Sequence, residues 1–276
     1  MTTVATAPVQ VQPAVSLSFR KNISSLRPSQ LTRLRSAITA MMDIGDDRGW
    51  QYWAGVHGVP LPMFCQHHTA LFLPWHRAYM YFAELALKEA GGDSGVSLPW
   101  WNWTIEQTIP TAFSEPGNAA VPNPLAGVAI NEQALEQARR AGLPADLTRT
   151  VRDPGGDSSP PLPTSDQVRE VLELGDFLDF QSQLEQFHDD VHVWVGGTMS
   201  EIPLAAYDPL FWAHHAMIDR LWRLWQLRHP TAGVPAQLIE EALPPFNITV
   251  RQTLSVTGLG YDYASFSTRS SMGRRA

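Results

Sequence analysis

Apolar residues recur at helical spacing in several long segments of the chain. In the segment 28–45 (PSQLTRLRSAITAMMDIG), Leu31, Leu34 and Ile38 repeat every three or four positions, which predicts an amphipathic helix. Pro74 suits the first turn of a second helix, and Gly196 marks the end of another. The helices predicted in this way, besides the first, are 74–92, 131–141, 164–174, 177–195 and 209–229. We therefore expect a mainly α fold.

The remaining segments carry weaker periodicity. Residues 1–16 are rich in Ala, Val, Pro and Gln and are expected to form a flexible leader. Residues 105–164 are rich in Pro, Gly, Ala and Ser, which favours a long surface excursion over a second domain. The β-prone sequence NITVRQTLSV at 247–256 predicts minor β structure near the C-terminus. One domain is expected over 17–263, followed by a short tail, 264–276.

Composition and charge argue against several classes of function. The chain has 276 residues, of which 44% are hydrophobic, and this is enough for a substantial core. A net charge of −7 without a long basic run argues against nucleic acid or an anionic membrane as partner. No apolar run is long enough to cross a bilayer, and the single cysteine cannot form an internal disulfide. Without an ordinary signal peptide, the protein is expected to be cytoplasmic or exported by a companion.

Histidine is concentrated in four short apolar or aromatic segments, which hold eight of the nine histidines. His188 and His192 are four residues apart and therefore lie on one face of the predicted helix. His76 and His215 each fall on an apolar stripe, whereas His67 belongs to the loop before its neighbouring helix. One such histidine is more often a hydrogen-bonded core residue than a ligand. Several together indicate a metal site, because buried imidazoles are costly unless something satisfies them.

The type of metal follows from the ligands. Imidazole suits zinc, copper, iron or nickel, and copper(II) binds most tightly in the divalent series. The sequence HDDVH at 188–192 lacks the glutamate of the zinc-protease HExxH pattern, which weakens a hydrolase interpretation. Two groups of three histidines, one early and one late, would form facing sites that can bind dioxygen between two copper ions.

Four segments of the chain resemble those that bind copper in the tyrosinase family: HHTALFLPWHRAY, LPWWNW, FHDDVHVWVGGTM and DPLFWAHHAMIDRLW. That family also includes catechol oxidases and the functional units of molluscan hemocyanin. The resemblance spans roughly 18–263 and implies a four-helix bundle around a dicopper centre. It extends to YDY at 261–263, which resembles a tyrosine motif packed on an N-terminal arginine, here Arg20. The ligands it implies are His57, His67 and His76 for the first copper, and His188, His192 and His215 for the second.

The resemblance also implies roles for residues beside the ligands. Cys65 precedes His67 by two positions, the arrangement that forms a thioether in fungal tyrosinases and hemocyanins. A free buried thiol is the alternative. One or both of Asp208 and Asp219 are expected to orient ligands of the second copper, with an ordinary N-cap role as the alternative for Asp208, and Asn102 is expected to keep a supporting hydrogen bond.

The residues around His188 bear on the reaction. Glu185 matches a family glutamate that positions a water for phenol deprotonation, but the asparagine that often follows the histidine is replaced by Asp189. Neighbouring carboxylates do not ionise easily together, which puts monophenol hydroxylation in question and leaves diphenol oxidation intact. Val193 and Phe211 are expected to wall the substrate pocket, with a plain core role as the alternative for Phe211.

The resemblance implies a copper enzyme that uses dioxygen to convert o-diphenols, and monophenols after ortho-hydroxylation, to o-quinones. A catechol or o-aminophenol oxidase without monophenolase activity is one alternative, and a hemocyanin-like dioxygen carrier is another. The expected partners are a small phenolic or catecholic substrate and, as for some bacterial members, a copper-delivering companion protein.

Overall fold

Helices dominate the computed structural model, which describes residues 17–264 except 61, 119 and 145. The predicted leader and all but the first residue of the predicted tail lie outside the described residues. The α-helices within that part are α1 (Pro28–Met42), α2 (Trp50–His57), α3 (Phe72–Ala90), α4 (Thr111–Ser114), α5 (Glu132–Arg140), α6 (Ser165–Leu172), α7 (Phe177–Val195), α8 (Pro209–Arg228) and α9 (Val250–Thr253). The strands are β1 (Ser18–Arg20) and β2 (Tyr261–Tyr263), joined by short 3-10 turns and loops to the rest.

The ends of the long helices follow local chemistry. The Asp208 carboxylate accepts a hydrogen bond from the Leu210 N–H at 2.8 Å and caps α8. α7 stops at Gly196, whose φ of +65° is in the left-handed region that favours glycine. α3 begins at Phe72, two residues before the predicted start, because Pro74 is tolerated anywhere in the first turn, where an N–H is not needed.

The predicted strand at 247–256 is wrong. Thr249 and Gln252 form a reciprocal capping box there and start the short helix α9, so local side-chain hydrogen bonds override the β-propensity of the segment. The minor β structure near the C-terminus is instead β2, which pairs in parallel with β1. Arg20 lies opposite Tyr263 in this pairing, in agreement with the predicted contact between the tyrosine motif and the N-terminal arginine.

The excursion at 105–164 is not confined to the surface. Phe113 and Leu125 are 1% exposed, and Ala134 of α5 is fully buried. The segment therefore supplies part of the core on the side of α2 and α8.

Four helices, α2, α3, α7 and α8, enclose the interior in which the histidines lie, with α3 and α7 both packed on α8. The predicted mainly α fold around a buried histidine cluster is thus confirmed. Tryptophans fill much of the surrounding core; those buried to below 2% exposure include Trp75, Trp101, Trp103, Trp222 and Trp225. Among the described residues, the helices are too short or too polar to traverse a lipid bilayer.

Candidate metal centre

Seven histidine side chains converge between the four central helices. His57 is the last residue of α2, His67 lies in the loop that precedes α3, and His76 lies one turn into α3. The other four come from α7 (His188 and His192) and α8 (His214 and His215). All are buried except His67, which is half-buried. The six predicted ligands are therefore brought together, and that they bind copper remains a prediction.

The late group is the tighter one. The Nε2 atom of His215 lies 3.2 Å from that of His188 and 3.3 Å from that of His192. The two α7 rings are 4.5 Å apart, because an i, i+4 spacing places both on the same face of the helix. Three ring nitrogens so close together form a ready-made site for one ion.

Protein acceptors fix the tautomer of three of these rings. The Nδ1 atom of His188 lies 2.9 Å from the Asp189 carboxylate. That of His192 lies 2.7 Å from the Met199 carbonyl, and that of His76 lies 2.9 Å from the Phe72 carbonyl. When Nδ1–H donates to such an acceptor, Nε2 keeps its lone pair for a metal. Sequence reasoning missed this orienting role of Asp189.

The early group is looser. Its ring centroids are 5.1–5.6 Å apart. His57 forms one donor group with Cys65 and His67, and another with His76 and His215; within each group the donor atoms lie within 4.8 Å of one another. His215 is thus shared between the early and the late groups.

The histidines are neutral and several of their nitrogens lack partners. Burial lowers the pKa of these rings, to about 4 for His67 and His192. Nε2 of His76 and Nδ1 of His215 are buried without a hydrogen bond, and the nitrogens of His57 make none of ordinary geometry, with the Ile202 backbone as the polar group near that ring. Orphaned, unprotonated imidazole nitrogens are what a copper ion needs as ligands, so the donor set fits the predicted metal.

Cys65 lies within the early group but carries no charge. Burial raises the pKa of its thiol to about 11, so the sulfur is protonated at neutral pH. Its sulfur lies within 4.8 Å of a ring nitrogen of His67, and the thioether between the two residues remains a prediction.

The two carboxylates on α7 occupy different environments. Glu185 is buried, accepts a hydrogen bond from the His68 backbone N–H at 2.6 Å, and has a pKa raised to about 7, chiefly by burial. Asp189 is one-third exposed, and burial also raises its pKa. His68 itself has a φ of +53°, a left-handed conformation that is uncommon outside glycine.

The two predicted pocket walls separate in the structure. Val193 is 46% exposed and lies on the outer side of α7, close to the late group in sequence. Phe211 is fully buried and packs on the histidines, with its ring 4.0 Å from that of His215 and 4.8 Å from that of His57. In this arrangement Phe211 backs the ligands from the core, and its part in a substrate pocket remains a prediction.

The carboxylates expected to orient the ligands have other partners. Asp208 is fully buried and paired with Arg152, besides capping α8. Asp219 is buried against Arg20 and Arg77. Among the described residues neither carboxylate is hydrogen-bonded to a histidine ring, and both aspartates instead fix the position of α8, Asp208 as the N-cap that was its alternative role.

The third expected support also has another partner. The Asn102 side-chain oxygen accepts a hydrogen bond from the Thr104 hydroxyl at 2.8 Å, and its carbonyl accepts from Glu106 N–H. Asn102 therefore shapes its own turn, and among the described residues it makes no hydrogen bond to a histidine ring.

Comparison with known proteins places this site in a family. The common central domain of tyrosinase matches residues 47–228. Hemocyanin units G and H of Sepia officinalis are 34% identical over 237 residues, which is 79% of this chain and 39% of that protein. The A-type hemocyanin, units Ode to Odg, of Enteroctopus dofleini is 32% identical over 89% of this chain and 22% of that protein. The chain thus spans less than half the length of these curated relatives.

Solved structures agree. A functional unit of octopus hemocyanin has a TM-score of 0.75 at 30% identity, over 90% of this chain and 68% of that one. Recombinant mushroom tyrosinase has a TM-score of 0.74 at 22% identity, over 90% of this chain and 61% of that one, and this likeness shows the fold. Since the family match covers more than half of the sequence, the chain belongs to the tyrosinase family of type-3 copper proteins.

Proposed function

We propose that the protein is a copper oxidase that converts o-diphenols, and monophenols after ortho-hydroxylation, to o-quinones. The observation that carries this proposal is the carboxylate pair on α7. Glu185 and Asp189 lie beside the late histidine group on a stretch of α7 where Asp189 is one-third and Val193 nearly half exposed. A phenol arriving from this side would come to lie beside both the carboxylates and the late histidine group. Reversible binding of dioxygen alone requires no such acceptor.

The ligands would be His57, His67 and His76 for one copper ion and His188, His192 and His215 for the other. When bound, the copper ions supply Lewis acidity and redox capacity toward dioxygen. The protein supplies a dry cavity, because the rings are backed by Phe211 and by buried tryptophans.

We assign different roles to the two carboxylates, Glu185 and Asp189. Asp189 holds the His188 ring through Nδ1, so its charge is already engaged. Glu185 has a pKa raised to about 7, which makes it a proton acceptor of intermediate strength near neutral pH. We therefore assign deprotonation of an incoming phenol to Glu185 and positioning of the ligand to Asp189. This division removes the conflict expected from two free neighbouring carboxylates.

A dioxygen carrier is the second candidate. It is favoured by the curated relatives, of which those at 31–34% identity are hemocyanins. A carrier would need the same histidines but no access for a phenol.

Oxygen uptake with a substrate panel separates these functions. The copper-loaded protein is expected to consume dioxygen continuously with a catechol such as dihydroxyphenylalanine, and to form coloured quinone. Tyrosine and an o-aminophenol in the same assay distinguish a tyrosinase from a narrower oxidase. Binding of dioxygen in a fixed ratio to copper, without turnover of any phenol, would establish the carrier instead.

We further propose that Cys65 and His67 are joined by a thioether after copper loading. The bond between sulfur and ring carbon replaces one S–H and one C–H, so two protons and two electrons leave, and they reduce one dioxygen molecule to hydrogen peroxide. The intact mass of the loaded protein is expected to fall short of the sequence mass by two hydrogens, about 2 Da. The Cys65→Ser variant and apoprotein kept without oxygen should show the full mass. A full mass in the loaded wild type would show that the thiol stays free.

A further inference from the structure

His214 is a seventh buried histidine beside the late group, and the proposed reaction gives it no role. It is fully buried in α8 and stacks on His188 at 5.2 Å with the planes 20° apart. Its ring lies 4.9 Å from that of His192 and 5.3 Å from that of His215. One donor nitrogen from each of these four histidines lies within 4.8 Å of the others. The late group therefore holds four candidate donors for one ion.

The ring of His214 is poorly satisfied for a fully buried imidazole. Neither of its nitrogens makes a hydrogen bond of ordinary geometry, and the His188 backbone is the polar group that favours an N–H on this ring. His229, in contrast, lies away from the cluster and places its Nε2 atom 2.9 Å from the Leu172 carbonyl, as a structural histidine should. A fully buried imidazole that leaves a ring nitrogen unpaired resembles His76 and His215, each of which also buries one unpaired nitrogen.

His215 is the ligand for which the two groups compete. One of its nitrogens belongs to the late group with His188 and His192, and it also forms a donor group with His57 and His76. Its ring stacks on that of His76 at 4.8 Å with the planes 23° apart. If an ion in the early group takes His215, the pair on α7 is left with two donors unless another imidazole replaces it.

We propose that His214 is a reserve nitrogen ligand, which completes the His188–His192 pair whenever His215 is withdrawn or lost. It can do so by turning its ring, since all four donor atoms already lie near one another. This inference rests on the proposed copper centre, and it holds whether that centre oxidises phenols or carries dioxygen. It extends the site to a fourth donor, so that copper entering the late group is held before both groups are complete.

Copper binding to the apoprotein tests the proposal without any substrate. Cu²⁺ is titrated against a competing chelator, and the bound metal per chain is measured for H215A and for H214F/H215A. Phenylalanine keeps a planar ring in the packing but removes the donor nitrogens. We expect H215A to hold copper at the late group within about tenfold of the wild-type affinity, and H214F/H215A to bind at least about 100-fold more weakly. The pair H215A and H229F/H215A is the matched control and should not differ.

Electron paramagnetic resonance supplies a reading that does not depend on the double variant. In H76A/H215A loaded with one equivalent of Cu²⁺, three coupled nitrogens are expected from His188, His192 and His214. Circular dichroism of each apoprotein checks the fold. Equal loss of copper from H215A and H214F/H215A, or a spectrum with only two coupled nitrogens, would overturn the proposal. Failure of the oxidase assay alone would leave it untouched.

Discussion

The variant His188→Ala is expected to lose copper from the late group and, with it, all dioxygen-dependent oxidation of catechols. The Nε2 atom of His188 lies 3.2 Å from that of His215, at the point where the donors converge. Its loss also frees the Asp189 carboxylate, which then faces the cavity without its partner. His214 is proposed to complete the His188–His192 pair and not to replace a member of it, so the loss of His188 has no substitute on α7; removing even a residue that only supports a ligand costs about 10–100-fold in metal affinity. The measurement is copper per chain together with oxygen uptake.

His229→Ala is the control for this experiment. His229 is also a histidine near the end of a long helix, but it is hydrogen-bonded to the Leu172 carbonyl and lies outside the cluster. This variant should keep both its copper and its activity. Undiminished oxidation by His188→Ala would mean that the late group is not the metal site, and the assignment of ligands would have to be abandoned.

The helices were predictable because the apolar spacing and the end signals of each lie within its own sequence. Apolar spacing located α1, α7 and α8 to within a few residues, and Asp208 and Gly196 marked two of their ends. The prediction of β structure for the segment 247–256 failed because Thr249 and Gln252 form a capping box that starts a short helix. This capping outweighs the preference of the β-branched residues for a strand. A capping box can be read from sequence, so this error was avoidable.

The histidines were predictable as a group, because the segments in which they are concentrated in the sequence also lie together in the fold. His214 was not predicted to belong to the group, because successive residues on a helix point about 100° apart. With His215 on the apolar stripe, its neighbour His214 was expected to point away from the cluster. In the structure a donor nitrogen of each of the two rings nevertheless lies within 4.8 Å of those of His188 and His192. Adjacent buried histidines on one helix are therefore a signal that sequence analysis can use.

The ion pairs around the site could not be predicted from neighbouring sequence, because their partners are far apart in the chain. Asp208 pairs with Arg152, 56 residues away, and Asp219 pairs with Arg20, 199 residues away. Neither arginine lies in a pattern that points to its aspartate. The orienting carboxylate turned out to be Asp189, which is adjacent to its histidine in sequence but was assigned to proton transfer on the strength of a family resemblance.

The other large effect is expected from Asp219→Ala, which should destabilise the apoprotein by about 3–5 kcal/mol. Asp219 accepts hydrogen bonds from Arg20 and Arg77, both fully buried, and from the hydroxyls of Tyr261 and Tyr263. Its removal leaves two buried cations short of a counter-charge, and it also severs the link from α8 to β1 and β2. Urea unfolding of the copper-free protein measures the loss without interference from metal binding.

The pH dependence of unfolding distinguishes the loss of the Asp219 charge from a loss of packing. Burial alone would raise the pKa of Asp219, but the charges of Arg77 and Arg20 outweigh it and hold the pKa below its usual value. The ionised carboxylate therefore stabilises the fold at neutral pH, and this contribution disappears as the pH falls below about 4 and the group gains a proton. The difference in unfolding free energy between wild type and Asp219→Ala should shrink over that range. Glu240→Ala, which removes an exposed partner of Arg251, should cost at most about 1 kcal/mol. Equal destabilisation by the two variants would show that the buried network does not hold α8 in place.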